Sequence, residues 1–125
     1  MSTVLVIDDN KDYRKSFRKV LEWENYEALE AENGLIGLAM IRQHVPDIIL
    51  CDIEMPVMNG IDVLRKVKAV PLLAKIPFVI ISGHSNPYIV QAAHDLGVAA
   101  YLTKPVTIAE FLAVIRRFLG VNAAL

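Results

Sequence analysis

Five short apolar runs punctuate the chain: Val4 to Ile7, Tyr26 to Ala31, Ile48 to Cys51, Phe78 to Ile81 and Ala99 to Leu102. Most are β-branched or continuous rather than alternating, the pattern of strands covered on both faces. The stretches between them are long enough for helices. Three stretches carry apolar residues at helical spacing: Tyr13, Phe17, Val20 and Leu21; Ile89, Ala92, Ala93 and Leu96; and Ile108, Phe111, Leu112, Ile115 and Leu119. Local end signals agree, with Asn86-Pro87 as N-cap and first helical residue, Thr107 and Glu110 as a capping box, and Gly97 and Gly120 just past helix ends. Strands alternating with helices imply βαβ units with right-handed crossovers and a mostly parallel sheet. The expected fold is therefore three-layered, doubly wound α/β.

Composition narrows the class. A chain of 125 residues, 54% hydrophobic and 22% charged, fits one domain that buries roughly two-thirds of its unfolded surface without a metal or disulfide staple. Thirteen basic against fourteen acidic side chains leave a formal charge of −1, which gives no global pull toward nucleic acid or an anionic membrane. The single cysteine, Cys51, cannot form an intrachain disulfide, and no apolar run approaches the roughly 20 residues of a membrane span. A soluble cytoplasmic protein with no nucleic-acid or membrane partner is the expectation. Only Val121 to Leu125 follow the last helical pattern, so residues 1–125 read as a single domain without an output domain.

In an open parallel sheet, ligands bind beyond the carboxyl ends of the strands. Here the first run ends in Asp8-Asp9, the third in Asp52, the fourth in Ser82, and the fifth leads through Thr103 to Lys104. The second run ends in Ala31-Glu32-Asn33 and reads as structural. Any one polar residue at a strand end is unremarkable, because strand ends meet water. Three carboxylates together are not, since two like charges about 4 Å apart cost roughly 4 kcal/mol at an effective dielectric of 20. A divalent cation offsets that repulsion better than one lysine, and an oxygen-only ligand set suits Mg²⁺. An aspartate beside Mg²⁺ and lysine is equipped to attack phosphorus. Asp52 is the candidate nucleophile, and Asp8 and Asp9 read as the metal-holding pair.

Five segments, Val4 to Asn10, Asp47 to Asp52, Met55 to Gly60, Phe78 to Gly83 and Tyr101 to Pro105, stand in the order and spacing that resembles the receiver domain of two-component response regulators, of the chemotaxis-type single-domain kind. The resemblance implies a flavodoxin-like sheet ordered 2-1-3-4-5 and a cis bond between Lys104 and Pro105. It implies that Asp52 accepts a phosphoryl group from a histidine kinase or phosphotransfer protein. Asp9, Asp52 and the backbone carbonyl of Glu54 would bind Mg²⁺, with Asp8 assisting through water. Lys104 and Ser82 would each hold a phosphoryl oxygen. Ser82 and Tyr101 would act as the switch, with Tyr101 swinging from exposed to buried and reshaping the surface of the fourth helix, fifth strand and fifth helix for an unknown downstream protein. Glu54 and His84, each two residues past a site residue, would tune phosphoryl lifetime. Ala100 and Val106 depart from the pattern of many DNA-binding members, and Ser82 stands where threonine is common.

Two alternatives compete with a self-phosphorylating switch that is not a turnover enzyme. A magnesium-dependent aspartyl phosphatase would carry Asp-x-Asp on its first strand, where Asp8-Asp9-Asn10 stands instead. A docking module independent of phosphorylation would have no need of Asp9, Asp52, Ser82 and Lys104. Asn59 and Gly60 are expected to form a turn through left-handed backbone. Cys51 reads as a small buried hydrophobe.

Overall fold

The computed structural model describes residues 1–83 and 86–120. Five strands, β1 (Thr3–Ile7), β2 (Glu27–Ala31), β3 (Ile48–Cys51), β4 (Phe78–Ser82) and β5 (Ala100–Thr103), pair in parallel in the order β2-β1-β3-β4-β5. The helices are α1 (Lys11–Trp23), α2 (Gly34–His44), α3 (Gly60–Lys68), α4 (Pro71–Ala74), α5 (Pro87–Asp95) and α6 (Ile108–Leu119). This is the expected doubly wound, flavodoxin-like fold, and the Lys104–Pro105 bond is cis, as the resemblance implies. The strand order reverses between β1 and β3, and that reversal opens a crevice over their carboxyl ends.

Side-chain alternation sorts the core into two halves. Leu5, Ile7, Ile49, Cys51, Phe78 and Ile80 pack toward α2, α3 and α5, while Val4, Val6, Ile48, Leu50, Val79 and Ile81 pack toward α1 and α6. Each large side chain among them contributes about 1.5–3 kcal/mol of burial free energy. On the second face Phe17 stacks on Phe111 with ring centroids 4.6 Å apart, joining α1 to α6.

The helix ends expected from sequence are present. Asn86 caps α5, Thr107 and Glu110 form a capping box on α6, and Gly97 and Gly120 take positive φ after α5 and α6. Four expectations need correction. The second and fifth runs are not buried on both faces: β2 and β5 lie at the two sheet edges, and among the residues of these strands only Ala31 is fully buried. An extra one-turn helix, α4, stands before β4, started by Pro71 at its first turn. The surface that the resemblance assigns to a fourth helix, fifth strand and fifth helix is therefore that of α5, β5 and α6. Ile108 does not join its stripe in the core, because as the first residue of α6 it projects into solvent, 63% exposed. Asn59 and Gly60 make no left-handed turn: Asn59 is the N-cap of α3, accepting the Asp62 amide at 2.9 Å, and the residue with positive φ in that loop is Val57.

Candidate functional site

The site is assembled by register. Ile7 pairs with Cys51, and the Asp52 amide donates to the Ile7 carbonyl at 2.9 Å, so Asp8 and Asp52 leave neighbouring strands at one level. Ser82 pairs with Thr103, and the Lys104 amide donates to the Ser82 carbonyl at 2.8 Å, which brings Lys104 to the same edge. The two-residue alternation then decides direction. Asp8 shares the parity of Val4 and Val6, Asp52 that of Ile48 and Leu50, and Lys104 that of Ala100 and Leu102, all on the α1 and α6 side. Ser82 and Tyr101 have the opposite parity and belong with the α2, α3 and α5 side, where Tyr101 packs.

Asp8 and Asp52 are buried, 2% and 8% exposed. The Lys104 ammonium donates to Asp8 Oδ2 at 2.8 Å and to Asp52 Oδ2 at 3.3 Å. The remaining oxygens also have donors, with Asp8 Oδ1 accepting the Asn10 amide at 2.9 Å and Asp52 Oδ1 the Ile53 amide at 2.7 Å. Burial pushes the Asp52 carboxyl above the ordinary carboxylate range, and the charge of Asp8 adds to the push, while Lys104 and the Ile53 amide pull it back. Burial works against the Lys104 charge, yet the hydrogen bond and charge of Asp8 and the charge of Asp52 outweigh it and raise the lysine pKa. The Cys51 thiol is 1% exposed, and burial followed by the charges of Asp52 and Asp8 pushes its pKa well up. It stays protonated, donating to the Asp52 carbonyl at 3.2 Å, as a structural cysteine.

Ser82 is fully buried, and its hydroxyl forms a hydrogen bond with the Tyr101 phenol. Tyr101 is half-buried in this structure rather than exposed. Burial raises its pKa, the Ser82 hydrogen bond lowers it, and the charge of Asp52 raises it.

Asp9 is exposed and lies at the mouth. One carboxylate oxygen from each of Asp8, Asp9 and Asp52 can be chosen so that all lie within 4.8 Å of one another. That all-oxygen set, with no nitrogen or sulfur donor, fits a hard cation such as Mg²⁺. A pocket lined by Asp9, Asn10, Asp52, Glu54, Gly83 and Lys104 opens there. Glu54 is exposed on its rim. His84, expected beside this pocket, lies outside the described residues.

Two residues at the site were not singled out from sequence. Arg14 donates to the Asp8 carbonyl at 2.7 Å and to Glu30 at 3.3 Å. Tyr13, read above as part of a core stripe, places its ring centroid 4.2 Å from Lys104 Nζ. The available signal was position: the first turn of a helix entered directly from β1 must border the carboxyl end of that strand.

Comparison with known proteins gives the family and the fold. The response regulator receiver domain model matches residues 4–116. The polar-differentiation response regulator DivK of Brucella anthropi is 31% identical over 118 residues, covering 94% of this chain and 96% of the relative. DivK of Brucella ovis is 30% identical with the same coverage. The chemotaxis protein CheY4 of Vibrio cholerae has a similar structure, with a TM-score of 0.89 at 27% identity over 95% of this chain and 99% of that one. The receiver domain of a signal transduction histidine kinase from Syntrophus aciditrophicus also scores 0.89, at 25% identity over 100% and 96% of the two chains. With its sheet order, its acidic cluster beside a half-buried lysine and a family match across most of its length, the chain belongs to the response regulator receiver domain family.

Proposed function

We propose that this protein is a phosphorylation-dependent switch in which Asp52 accepts a phosphoryl group from a histidine kinase or phosphotransfer protein. The observation that carries the reading is the Lys104 ammonium held between Asp8 and Asp52 at the mouth of the pocket. An Asp52 carboxylate oxygen attacks phosphorus, the bond from phosphorus to the donor's imidazole nitrogen breaks, and that nitrogen keeps the electron pair. Lys104, already at Asp52, neutralises a phosphoryl oxygen as charge develops on it. Asp8, Asp9 and Asp52, with the Glu54 carbonyl, would hold Mg²⁺, which when bound supplies Lewis-acid neutralisation of the transferring group. Asp8 is already committed to Lys104 and Asn10, which favours its acting through water.

A phosphoryl group brings about −1.5 to −2 charges and three acceptor oxygens, more than one ammonium satisfies. Ser82 is the hydroxyl at the carboxyl end of the adjacent strand β4, and donating to a phosphoryl oxygen would cost its bond with Tyr101. Release of the Tyr101 phenol would then alter the α5, β5 and α6 surface for a downstream protein. The same groups would hydrolyse the aspartyl phosphate, so the chain catalyses its own modification and reset, and Glu54 and His84 would tune the lifetime of the phosphoryl group. Residues 1–125 would act as one such module in the cytoplasm, without nucleic acid or membrane as partner. No helix among the described residues is long and apolar enough to cross a membrane.

Incubation with acetyl phosphate and Mg²⁺ is expected to add one phosphate to the wild type by intact-mass spectrometry and none to Asp52→Asn. Equal labelling of that variant would refute Asp52 as acceptor.

A further inference from the structure

The Lys104 side chain is only 12% exposed, and an ammonium has three N–H donors to satisfy on a flexible four-carbon stem. Asp8 and Asp52 receive its hydrogen bonds. The ring of Tyr13 also lies against the ammonium, with its centroid 4.2 Å from Nζ. A ring face attracts a desolvated cation strongly through its quadrupole. It does so without adding net negative charge, whereas another carboxylate there would add to the repulsion between Asp8 and Asp52.

Tyr13 is held by contacts other than its own with Lys104. Its amide and that of Asp12 donate to the Asn10 side chain, the N-cap of α1, at 3.0 and 2.9 Å. The Asn10 amide in turn donates to Asp8 Oδ1. One carboxylate therefore holds both the lysine and the start of the helix that presents the ring. The Tyr13 ring leans on Phe17, with centroids 5.8 Å apart, and Phe17 stacks on Phe111. The ring is braced from α1 through to α6.

We propose that Tyr13 is a positioning residue for phosphoryl transfer, its ring face holding the Lys104 ammonium in register with Asp52. The proposal rests on the reading of Asp52 as acceptor. Without the ring, the lysine stem is free to take rotamers that leave the ammonium paired with Asp8 alone or drawn toward solvent, and fewer encounters with a phosphoryl donor find it in place.

Replacing Tyr13 by phenylalanine and then by 4-fluoro-, 3,5-difluoro- and pentafluorophenylalanine keeps the shape while weakening the negative face stepwise. The phosphorylation rate from acetyl phosphate at fixed Mg²⁺ is expected to stay within about twofold for Tyr13→Phe, and to fall progressively to about fivefold below wild type at the pentafluoro ring, at unchanged melting temperature. Tyr13→Leu is expected to match the pentafluoro variant. As a readout separate from activity, the Lys104 ε-methylene proton signals should be shifted upfield by the ring in wild type and Tyr13→Phe, and not in Tyr13→Leu. A flat rate across the fluorinated series would show that the ring only packs and would overturn the proposal. So would Lys104 signals that are the same in Tyr13→Leu as in wild type. Asp52→Asn run alongside separates the two readings: labelling of that variant at the wild-type rate overturns the acceptor assignment and the proposal with it, whereas a flat series with Asp52→Asn unlabelled overturns the proposal alone.

Discussion

Asp52 combines two demands that conflict. A nucleophile must be ionised, yet its carboxyl is buried beside a second carboxylate, and its pKa stands above the ordinary value because burial outweighs the pull of Lys104. The folded state therefore binds this proton more tightly than the unfolded state. The corresponding stability is present below the unfolded pKa and is lost as pH rises through the folded one. At neutral pH the ionised carboxylate is a net cost. Asp52→Asn, which keeps the shape and removes the charge, is expected to raise the melting temperature by about 2–5 °C at neutral pH in EDTA. The gain should vanish near pH 3, where the wild-type carboxyl is protonated. Differential scanning calorimetry across that range checks it, and a lower melting temperature for the variant at neutral pH would mean that the lysine pairing outweighs burial. Lys104 has the same sign of linkage but the opposite consequence at neutral pH: its raised pKa stabilises the fold below the ordinary lysine value and ceases to do so only under strong alkali.

Between residue and fold stand the elements that hold the carboxylates in place, and the start of α3 is the most demanding of them. Gly60 opens that helix with its amide donating to the Ile53 carbonyl at 2.9 Å. A Cβ there would clash with the Asp52 carbonyl oxygen, a backbone atom just past the end of β3 that yields little. Glycine is needed for close approach, not for its φ. Gly60→Ala is expected to cost about 2–4 kcal/mol in urea unfolding and to slow phosphorylation by shifting the backbone of Asp52. Gly83 borders the same pocket, but a Cβ there meets nothing within 4 Å, so Gly83→Ala should stay within about 0.5 kcal/mol of wild type. A similar loss in both would place the sensitivity in the pocket backbone generally and not in the contact at α3.

Across the whole molecule, the acidic cluster couples stability to its ligand. If Asp8, Asp9 and Asp52 repel one another until a cation binds, then Asp9→Asn should melt higher than wild type in EDTA and lose most of the gain given by Mg²⁺, which for wild type is about 2.7 kcal/mol at a hundredfold excess over Kd. A variant that melts lower in EDTA and still responds fully to Mg²⁺ would remove Asp9 from the metal site. Most of the fold and much of this site can be read from local pattern. Apolar runs closed by Asp8, Asp52 and Ser82 mark strand ends, and Asn86, Thr107, Glu110 and Gly97 mark helix ends, because backbone preference and capping act within a few residues. Those patterns determined that α/β elements alternate and which polar residues stand at the carboxyl edge. The 2-1-3-4-5 order came only with the family resemblance, and the edge exposure of β2 was not foreseen. Nor were the opposite faces taken by Asp52 and Ser82, the approach of Gly60 to the Asp52 carbonyl or the ring of Tyr13 over Lys104. Each depends on registers and crossovers between distant segments. Lys104 meets Asp8 across 96 residues of chain, and no local preference spans that distance: only the packed sheet, with α1 laid over one face, brings the ammonium, the carboxylates and the ring to one point.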